Sequence, residues 1–209
     1  MYNKTKSTLP LAILLLFFTC SISVAAETEE TIVFEPVYVK NLQPSLAETD
    51  GLLPGLDVFY YVDFFERDVR LLPKTESSQF RSFRGKPVEQ LNHQFGKDKV
   101  FDSRTNRGVG MRLNGYLNFP DPGVYEMQAL SNDGIVMSIS GNVALSDPEQ
   151  HSDRLSNIAH ISIDQPGWYQ VDIDYFQRKG TAALKLLWKV PGAKTFVPVP
   201  KQTYAHKAK

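Results

Sequence analysis

The sequence predicts an all-β fold, an antiparallel β-sandwich or barrel with a loop-rich insertion and one short helix. From Gly108 onward apolar and polar residues alternate with a period of two, the pattern of strands with one buried and one solvent-exposed face. Turn residues separate these runs at short intervals, and closely spaced short strands are typical of sandwiches and barrels. The 209 residues suit one domain of ordinary size.

The first 26 residues have the order of a secretory signal peptide. Lys4 and Lys6 precede a nearly unbroken apolar run from Leu9 to Cys20, and small residues follow up to Ala26. We therefore expect export with cleavage after Ala26. An uncleaved anchor and a lipoprotein acylated at Cys20 are the alternatives, disfavoured by the short apolar run and by the bulky residues before the cysteine. Cleavage removes the one cysteine of the chain, which excludes disulfides and thiolate zinc sites from the mature protein.

Composition divides the chain into four parts. The signal peptide (1–26) precedes an acidic N-terminal segment or linker (27–50), the β domain (51–205) and a basic tail (206–209). The 23 basic and 23 acidic residues balance, which argues against a nucleic-acid-binding protein, because such proteins are normally basic. No apolar run reaches about 18 residues, so we expect no transmembrane helix.

Residues 63–107 form the loop-rich insertion of the predicted domain. Within them, apolar residues at helical spacing follow a proline and precede a glycine, a pattern that predicts a short helix: Pro87, Val88, Leu91, Phe95, Gly96. The remainder is interpreted as long loops. A basic stretch within them, 67–86, docks an acidic polysaccharide or an anionic protein surface in one interpretation and is simply solvated in the other.

The strands after Gly108 are defined by alternation and by turn residues. Alternating runs begin at five positions: Met111, Tyr125, Ile135, Tyr169, Ala182. The pair Gly141-Asn142 predicts a two-residue hairpin connection. The triplets at 121–123 and 165–167 both contain Pro-Gly and precede a strand, which is typical of a tight turn, since proline presets one dihedral angle and glycine accepts a positive φ.

The run from Val109 to Asp147 resembles the middle of the protective-antigen (PA-14) domain family. The shared features come in this order: Arg112, Gly115-Tyr116, Pro122-Gly123, Tyr125, Ser131-Asn132-Asp133-Gly134, Gly141. A second block, 161–191, carries Gly167-Trp168-Tyr169, and the opening at 51–61 is similar to the first strand of the family. The resemblance covers about 51–205. It implies a PA-14-type β-sandwich or barrel used outside the cell, often as a carbohydrate-binding or adhesion module.

In sugar-binding members of that family, two consecutive aspartates hold a calcium ion, and a later loop adds a side-chain amide and backbone carbonyls. The resemblance carries these positions to Asn132 and Asp133 and, for the amide, to Gln177, with Lys179 in the same loop as a ligand contact. Asn132 lacks the second negative charge, and the basic loop lies close to the cation, so both departures weaken calcium binding. In the other interpretation, 131–134 is only a turn, stabilised by Asx side chains and a glycine.

The sequence therefore predicts an exported, non-catalytic binding module, periplasmic, secreted or at the cell surface. The first hypothesis is calcium-assisted glycan recognition through Asn132-Asp133 and the loop 177–181, with Tyr116 and Phe176 as outward-facing aromatic platforms. The second is a structural or protein-interaction subunit of a cell-envelope assembly. No nucleophile–base pair or metal-ligand spacing is visible in the sequence, so we expect no enzyme.

Overall fold

The structure is a computed structural model that describes residues 32–45, 51–73 and 81–208. The predicted signal peptide lies outside these residues, and Val33–Lys209 form one compact unit. Two 3-10 turns, Val69–Leu71 and Lys201–Thr203, accompany fifteen described strands. The strands are β1 (Val37–Val39), β2 (Leu52–Pro54), β3 (Asp57–Val62), β4 (Arg81–Arg84), β5 (Asn92–Gly96), β6 (Val109–Phe119), β7 (Gly123–Asn132), β8 (Ile135–Ile139), β9 (Asn142–Asp147), β10 (Arg154–Leu155), β11 (Ala159–Ile163), β12 (Gly167–Gln177), β13 (Ala182–Lys189), β14 (Val197–Pro198) and β15 (Tyr204–Lys207).

The strands form two sheets, which confirms the all-β prediction. Sheet A has the order β1-β11-β7-β13-β14, with β10 beside β7 and β5 beside β13. Sheet B has the order β2-β15-β6-β12-β8-β9, and β3 links β4 to β6. Among the described pairs, β1 and β11 run parallel and the others run antiparallel. The inner faces of both sheets share one hydrophobic core.

The two longest strands, β6 and β12, show how the alternation produces this core. They pair along their whole length, with Leu113 opposite Ile173. Inward side chains of both strands are fully buried, whereas outward ones pair across the ladder: Arg112 donates to both carboxylate oxygens of Asp174, at 2.8 and 2.9 Å. The predicted alternation therefore separates the residues that face the core from those that face outward on sheet B.

The predicted turns lie where the sequence indicates, with one shift. Tyr125 Oη donates to the Asp121 carbonyl and Tyr169 Oη to the Gln165 carbonyl, so each strand is tied back to the turn that precedes it. The β8–β9 connection consists of Ser140 and Gly141, both with positive φ, because Asn142 is already paired with Ile139. The hairpin therefore lies one residue earlier than predicted.

The predicted short helix at 87–96 is wrong. Val88 forms an isolated bridge with Leu56, and Asn92–Gly96 is the strand β5, paired with β13. Val88 and Leu91 are buried, whereas Phe95 is half-buried and Pro87 is exposed. The Leu91 carbonyl accepts from Leu186 N of β13 at 2.8 Å. Apolar spacing that fits a helix here belongs to an extended chain that enters a sheet.

Residues 63–73 cover one end of the outer face of sheet B. Phe65 and Leu72 pack there against Tyr61 and Phe176, and the Pro73 carbonyl accepts from Arg112 Nη1 at 2.8 Å. Phe176 does occupy an outward position of its strand, but this covering segment leaves it fully buried. The prediction of Phe176 as an exposed aromatic platform is therefore wrong.

Regular structure extends beyond both predicted limits of the β domain. Part of the acidic segment 27–50 forms β1, which pairs with β11, and Leu42 is buried. At the other end β15 continues through Lys207, past residue 205. No helix within the described ranges is both long and apolar enough to cross a bilayer.

Candidate functional site

The turn Asn132-Asp133 connects β7 of sheet A to β8 of sheet B. Its peptide bond is cis. Both residues are buried: Asn132 is 5% exposed and Asp133 is 2% exposed. Tyr175 Oη donates to the Asn132 carbonyl at 2.5 Å, and Arg178 N donates to Asp133 Oδ2 at 2.6 Å. These two hydrogen bonds fix the turn against the end of β12, which is why the predicted residues of 132–133 and of 177–181 lie together.

A second carboxylate, that of Asp153, lies beside this turn, and no sequence motif predicts it. Asn132 Nδ2 donates to Asp153 Oδ1 at 2.7 Å and to Thr181 Oγ1 at 3.2 Å. Because an ionised carboxylate only accepts hydrogen bonds, the NH2 group of Asn132 must face Asp153. The Oδ1 atom of Asn132 is thereby left as an acceptor for another group.

Burial makes the charge of Asp133 costly. It raises the pKa of the Asp133 carboxyl group above its ordinary value, although the hydrogen bond from Arg178 N and the charges of His151 and Arg178 act in the opposite direction. The site therefore stabilises its own carboxylate incompletely. A cation bound at Asp133 would supply the missing positive charge.

Gln177 is the most unusual polar residue of the site. Its side chain is fully buried, and neither Oε1 nor Nε2 has a hydrogen-bond partner within the described part of the chain. It shares a face of β12 with Tyr175 and directly precedes Arg178, whose backbone reaches Asp133. A buried amide without hydrogen-bond partners lowers the stability of the folded state, and a bound water or ion commonly supplies the missing partner.

An open groove of about 730 Å³ lies over the turn, with Lys179 at its exposed rim. The Lys179 ammonium lies 5.8 Å from the centroid of the Phe64 ring. The lining residues are Glu66, Arg67, Asp68, Asn132, Asp133, Glu149, Gln150, His151, Ser152, Lys179, Gly180 and Thr181. Three of the predicted site residues thus line the groove, whereas Gln177 is buried behind it.

Tyr116 lies elsewhere. It is half-buried on the outer face of sheet B, opposite Gln170 in β12. Seven residues separate Gln170 from Gln177 at the end of that strand, so Tyr116 lies roughly 23 Å from the groove at about 3.3 Å per residue. The prediction that Tyr116 contributes to the same site as Asn132 and Asp133 is therefore wrong.

Two loops form the opposite wall of the groove: one begins the basic stretch 67–86, and the other, 148–150, was given no role by the sequence. Val69 N donates to the Pro148 carbonyl and Gln150 N to the Arg67 carbonyl, each at 2.9 Å, so 67–69 and 148–150 run as a short antiparallel pair. The wall carries Glu66, Asp68 and Glu149 among its charges. A pairing between segments eighty residues apart leaves no local signal in the sequence.

A buried ion pair supports the wall from below. The Asp147 side chain is 2% exposed; its Oδ2 atom accepts from Arg154 Nε at 2.7 Å and also lies 3.0 Å from His151 Nε2, while its Oδ1 atom accepts from Arg154 Nη2. The described ranges contain no cluster of three or more His, Cys, Asp or Glu side chains arranged for a metal ion. A cation in the groove would therefore depend on amide and backbone oxygens as well as on carboxylates.

Tyr175→Phe tests how firmly the turn is held. Removal of the hydroxyl leaves the buried Asn132 carbonyl without this donor, and we expect the free energy of unfolding to fall by about 1–2 kcal/mol. Chemical denaturation measures the change. Tyr125→Phe, which loses a hydroxyl bonded to the turn at Asp121, is the matched control for a loss without any effect on the groove.

The two packed sheets, with a groove built by loops at one end, place this protein in the class of β-sandwich domains. The sequence model of the PA14 domain family matches residues 54–202, most of the chain. The chain belongs to the PA14 domain family. No curated protein matches the sequence.

Solved structures agree on the fold. An anti-sigma factor domain-containing protein has a TM-score of 0.61 at 16% identity; 75% of this chain and 48% of that one are covered, so the match spans about half of its length. The Candida glabrata epithelial adhesin 6 A domain, solved with Galβ1-3GlcNAc, has a TM-score of 0.61 at 14% identity and coverages of 78% and 90%. A PA14 sugar-binding domain from an RTX adhesin has a TM-score of 0.53 at 16% identity and coverages of 74% and 99%.

Proposed function

We propose that this protein is an exported, non-catalytic carbohydrate-binding module whose glycan occupies the groove over Asn132-Asp133. The observation that carries the proposal is the incompletely stabilised, buried carboxylate of Asp133 at the floor of an open polar groove. Two of the similar structures support it, since one contains a bound disaccharide and the other is described as sugar-binding. A groove of about 730 Å³ has room for more than one sugar ring.

A calcium ion is the group that these residues fit. Asn132 Oδ1, the Asp133 carboxylate and Gln177 Oε1 are hard oxygens of the kind calcium prefers, and within the described ranges none of the three forms an ion pair with a side chain. When bound, calcium would supply positive charge to Asp133 and an electrophilic contact for sugar hydroxyls. Asp153 fixes the amide of Asn132 in the orientation that leaves its oxygen available.

The rest of the groove provides the remaining contacts in this proposal. Lys179 offers an ammonium donor at the rim, and Glu149 and Glu66 offer acceptors on the opposite wall. Sugar hydroxyls donate and accept hydrogen bonds, so a wall of mixed donors and acceptors suits them. No covalent step is required of any of these residues.

Thermal unfolding in chelator and then in millimolar calcium tests the metal. A ligand at a hundred times its dissociation constant stabilises by about 2.7 kcal/mol, which raises the midpoint of a domain of this size by roughly 5–10 °C. We expect this shift for the wild type and for Asp164→Asn, an exposed control, and its loss in Asp133→Asn. A wild type that does not respond to calcium contradicts the metal site.

A glycan array with and without calcium tests the ligand. We expect calcium-dependent binders for the wild type and none for Asp133→Asn. An array without any binder at millimolar ligand contradicts glycan recognition in the groove. That outcome would favour the alternative of an envelope-assembly subunit, which affinity capture from an envelope extract would then examine.

A further inference from the structure

The outer face of sheet B carries a second polar site, at the end away from residues 63–73. Asn114 lies between Asp57 and Asp172 in the register of β3, β6 and β12, and Tyr116 lies opposite Gln170. A cleft of about 190 Å³ is lined there by Asp57, Asn114, Gly115, Tyr116, Gln170, His206 and Lys207. It has no lining residue in common with the groove over Asn132-Asp133.

Asp172 fixes the two amides of this cleft in one orientation. Asn114 Nδ2 donates to Asp172 Oδ1 at 2.6 Å, and Gln170 Nε2 donates to Asp172 Oδ2 at 3.2 Å. A carboxylate only accepts hydrogen bonds, so it must face the NH2 group of each amide. Asn114 Oδ1 and Gln170 Oε1 are therefore left as acceptors, held in place before any ligand arrives.

His206 adds an acceptor by the same reasoning. Its side chain is nine-tenths buried, and Nδ1 lies 2.9 Å from the Gly55 carbonyl, which only accepts, so Nδ1 carries the proton. In the neutral ring Nε2 is then an acceptor. The cleft thus combines acceptor atoms of Asn114, Gln170 and the His206 ring with the half-buried side chain of Tyr116.

We propose that this cleft is a second, calcium-independent subsite for one neutral sugar ring, with Tyr116 as its aromatic platform; the proposal rests on the proposed glycan-binding function. A pyranose presents clustered hydroxyl donors on its edges and C–H groups on its faces, which match fixed acceptors beside an aromatic ring. The cleft is smaller than the ~300–1,000 Å³ of sites for drug-sized ligands, which limits it to a single ring or the end of a chain.

The charges of the cleft select a neutral ligand over an amine. Asp57 is paired with Arg84 at 3.5 Å, and Lys207 contributes a further positive charge to the lining. Asp172 has both oxygens engaged by the amides. An ammonium ligand would therefore meet the ammonium group of Lys207 in the lining and the guanidinium group of Arg84 beside Asp57, and both nearby carboxylates are already engaged, whereas hydroxyl groups would meet acceptors.

Backbone amide NMR of the 15N-labelled protein in chelator tests the subsite. The probes are the methyl glycosides of glucose, galactose and mannose, titrated to tens of millimolar. We expect at least one of them to shift the amide signals of 114–117 and 170–172. Tyr116→Ala and, at an exposed position, Gln170→Ala should each weaken that binding about threefold to tenfold, the effect of losing one contact. Gln165→Ala, also exposed, is the matched control and should not change it.

Asp133→Asn separates this site from the groove. The proposal requires the signals of 114–117 and 170–172 to shift equally in wild type and in Asp133→Asn, with or without calcium. It is overturned if none of the three glycosides shifts these signals, if the shifts need calcium or Asp133, or if methylamine produces them instead. Failure of calcium binding at Asp133 alone would overturn the metal and leave this subsite intact.

Discussion

Asp147→Asn is expected to lower the free energy of unfolding by about 3 kcal/mol, because it breaks a buried ion pair by removing one partner. Arg154 and His151 would keep their positions beside each other without the carboxylate that both contact. The side chain of Arg154 is 27% exposed, which limits the loss to the lower part of the range for buried pairs. For a domain of this size the midpoint should fall by roughly 6–12 °C.

The effect of Asp147 should depend on pH. Burial alone raises the pKa of the Asp147 carboxyl group, but Arg154 and His151 outweigh it, so the pKa lies below the ordinary value. A depressed folded-state pKa contributes stability that is fully present above the unfolded-state value of about 4 and is lost as the pH falls through the folded-state value. The difference between wild type and Asp147→Asn should therefore shrink below about pH 4.

Urea unfolding between neutral pH and acid measures both quantities. Asp174→Asn is the matched control, since Asp174 also faces an arginine through two hydrogen bonds but is 30% exposed. Its loss should be about 1 kcal/mol, near the upper end of the range for exposed pairs, because this pair is partly accessible to water. Equal losses for the two variants would contradict the structural role assigned to the buried pair.

The extent to which the sequence predicts this molecule follows from the range of the interactions involved. A period of two is a property of neighbouring residues, so the alternation predicts β6, β7, β8, β12 and β13 correctly. Which segment covers the outer face of a sheet is decided by residues that are distant in the sequence. Phe176 is buried by residues 63–73, more than a hundred positions earlier. Asp172 and Asp174 share its face of the strand, and their polarity predicts a solvent-exposed face.

The same distinction holds for the site. Asn132-Asp133 and Lys179 belong to local motifs, and the structure brings them to one groove. Glu66, Glu149 and Asp153 join them only because two loops pair over the turn, and no spacing in the sequence encodes that pairing. The apolar spacing at 87–96 also predicts a helix wrongly, because Leu91 is buried in an extended segment that pairs with β13.

The pairing of those loops also predicts a large effect of substitution at Gly134, because it places backbone atoms of 148–149 directly against this residue. A Cβ atom at this position would lie 2.3 Å from the Pro148 carbonyl oxygen and 2.8 Å from that of Glu149. Real Cβ atoms do not approach so closely, and the obstacles are backbone atoms of the groove wall rather than flexible side-chain ends. Gly134→Ala must therefore displace either the turn or the wall.

We expect Gly134→Ala to cost about 3 kcal/mol of unfolding free energy, the upper part of the range for overpacking, and to abolish any calcium response of the neighbouring Asp133. Gly141→Ala is the control: its φ is +78° with no atom near the added Cβ, so its cost is the conformational one of about 1–2 kcal/mol. Chemical denaturation ranks the two. A smaller loss for Gly134→Ala than for Gly141→Ala would mean that the wall yields easily, and a groove with a yielding wall could not hold Asp133 and its neighbours in fixed positions for a ligand.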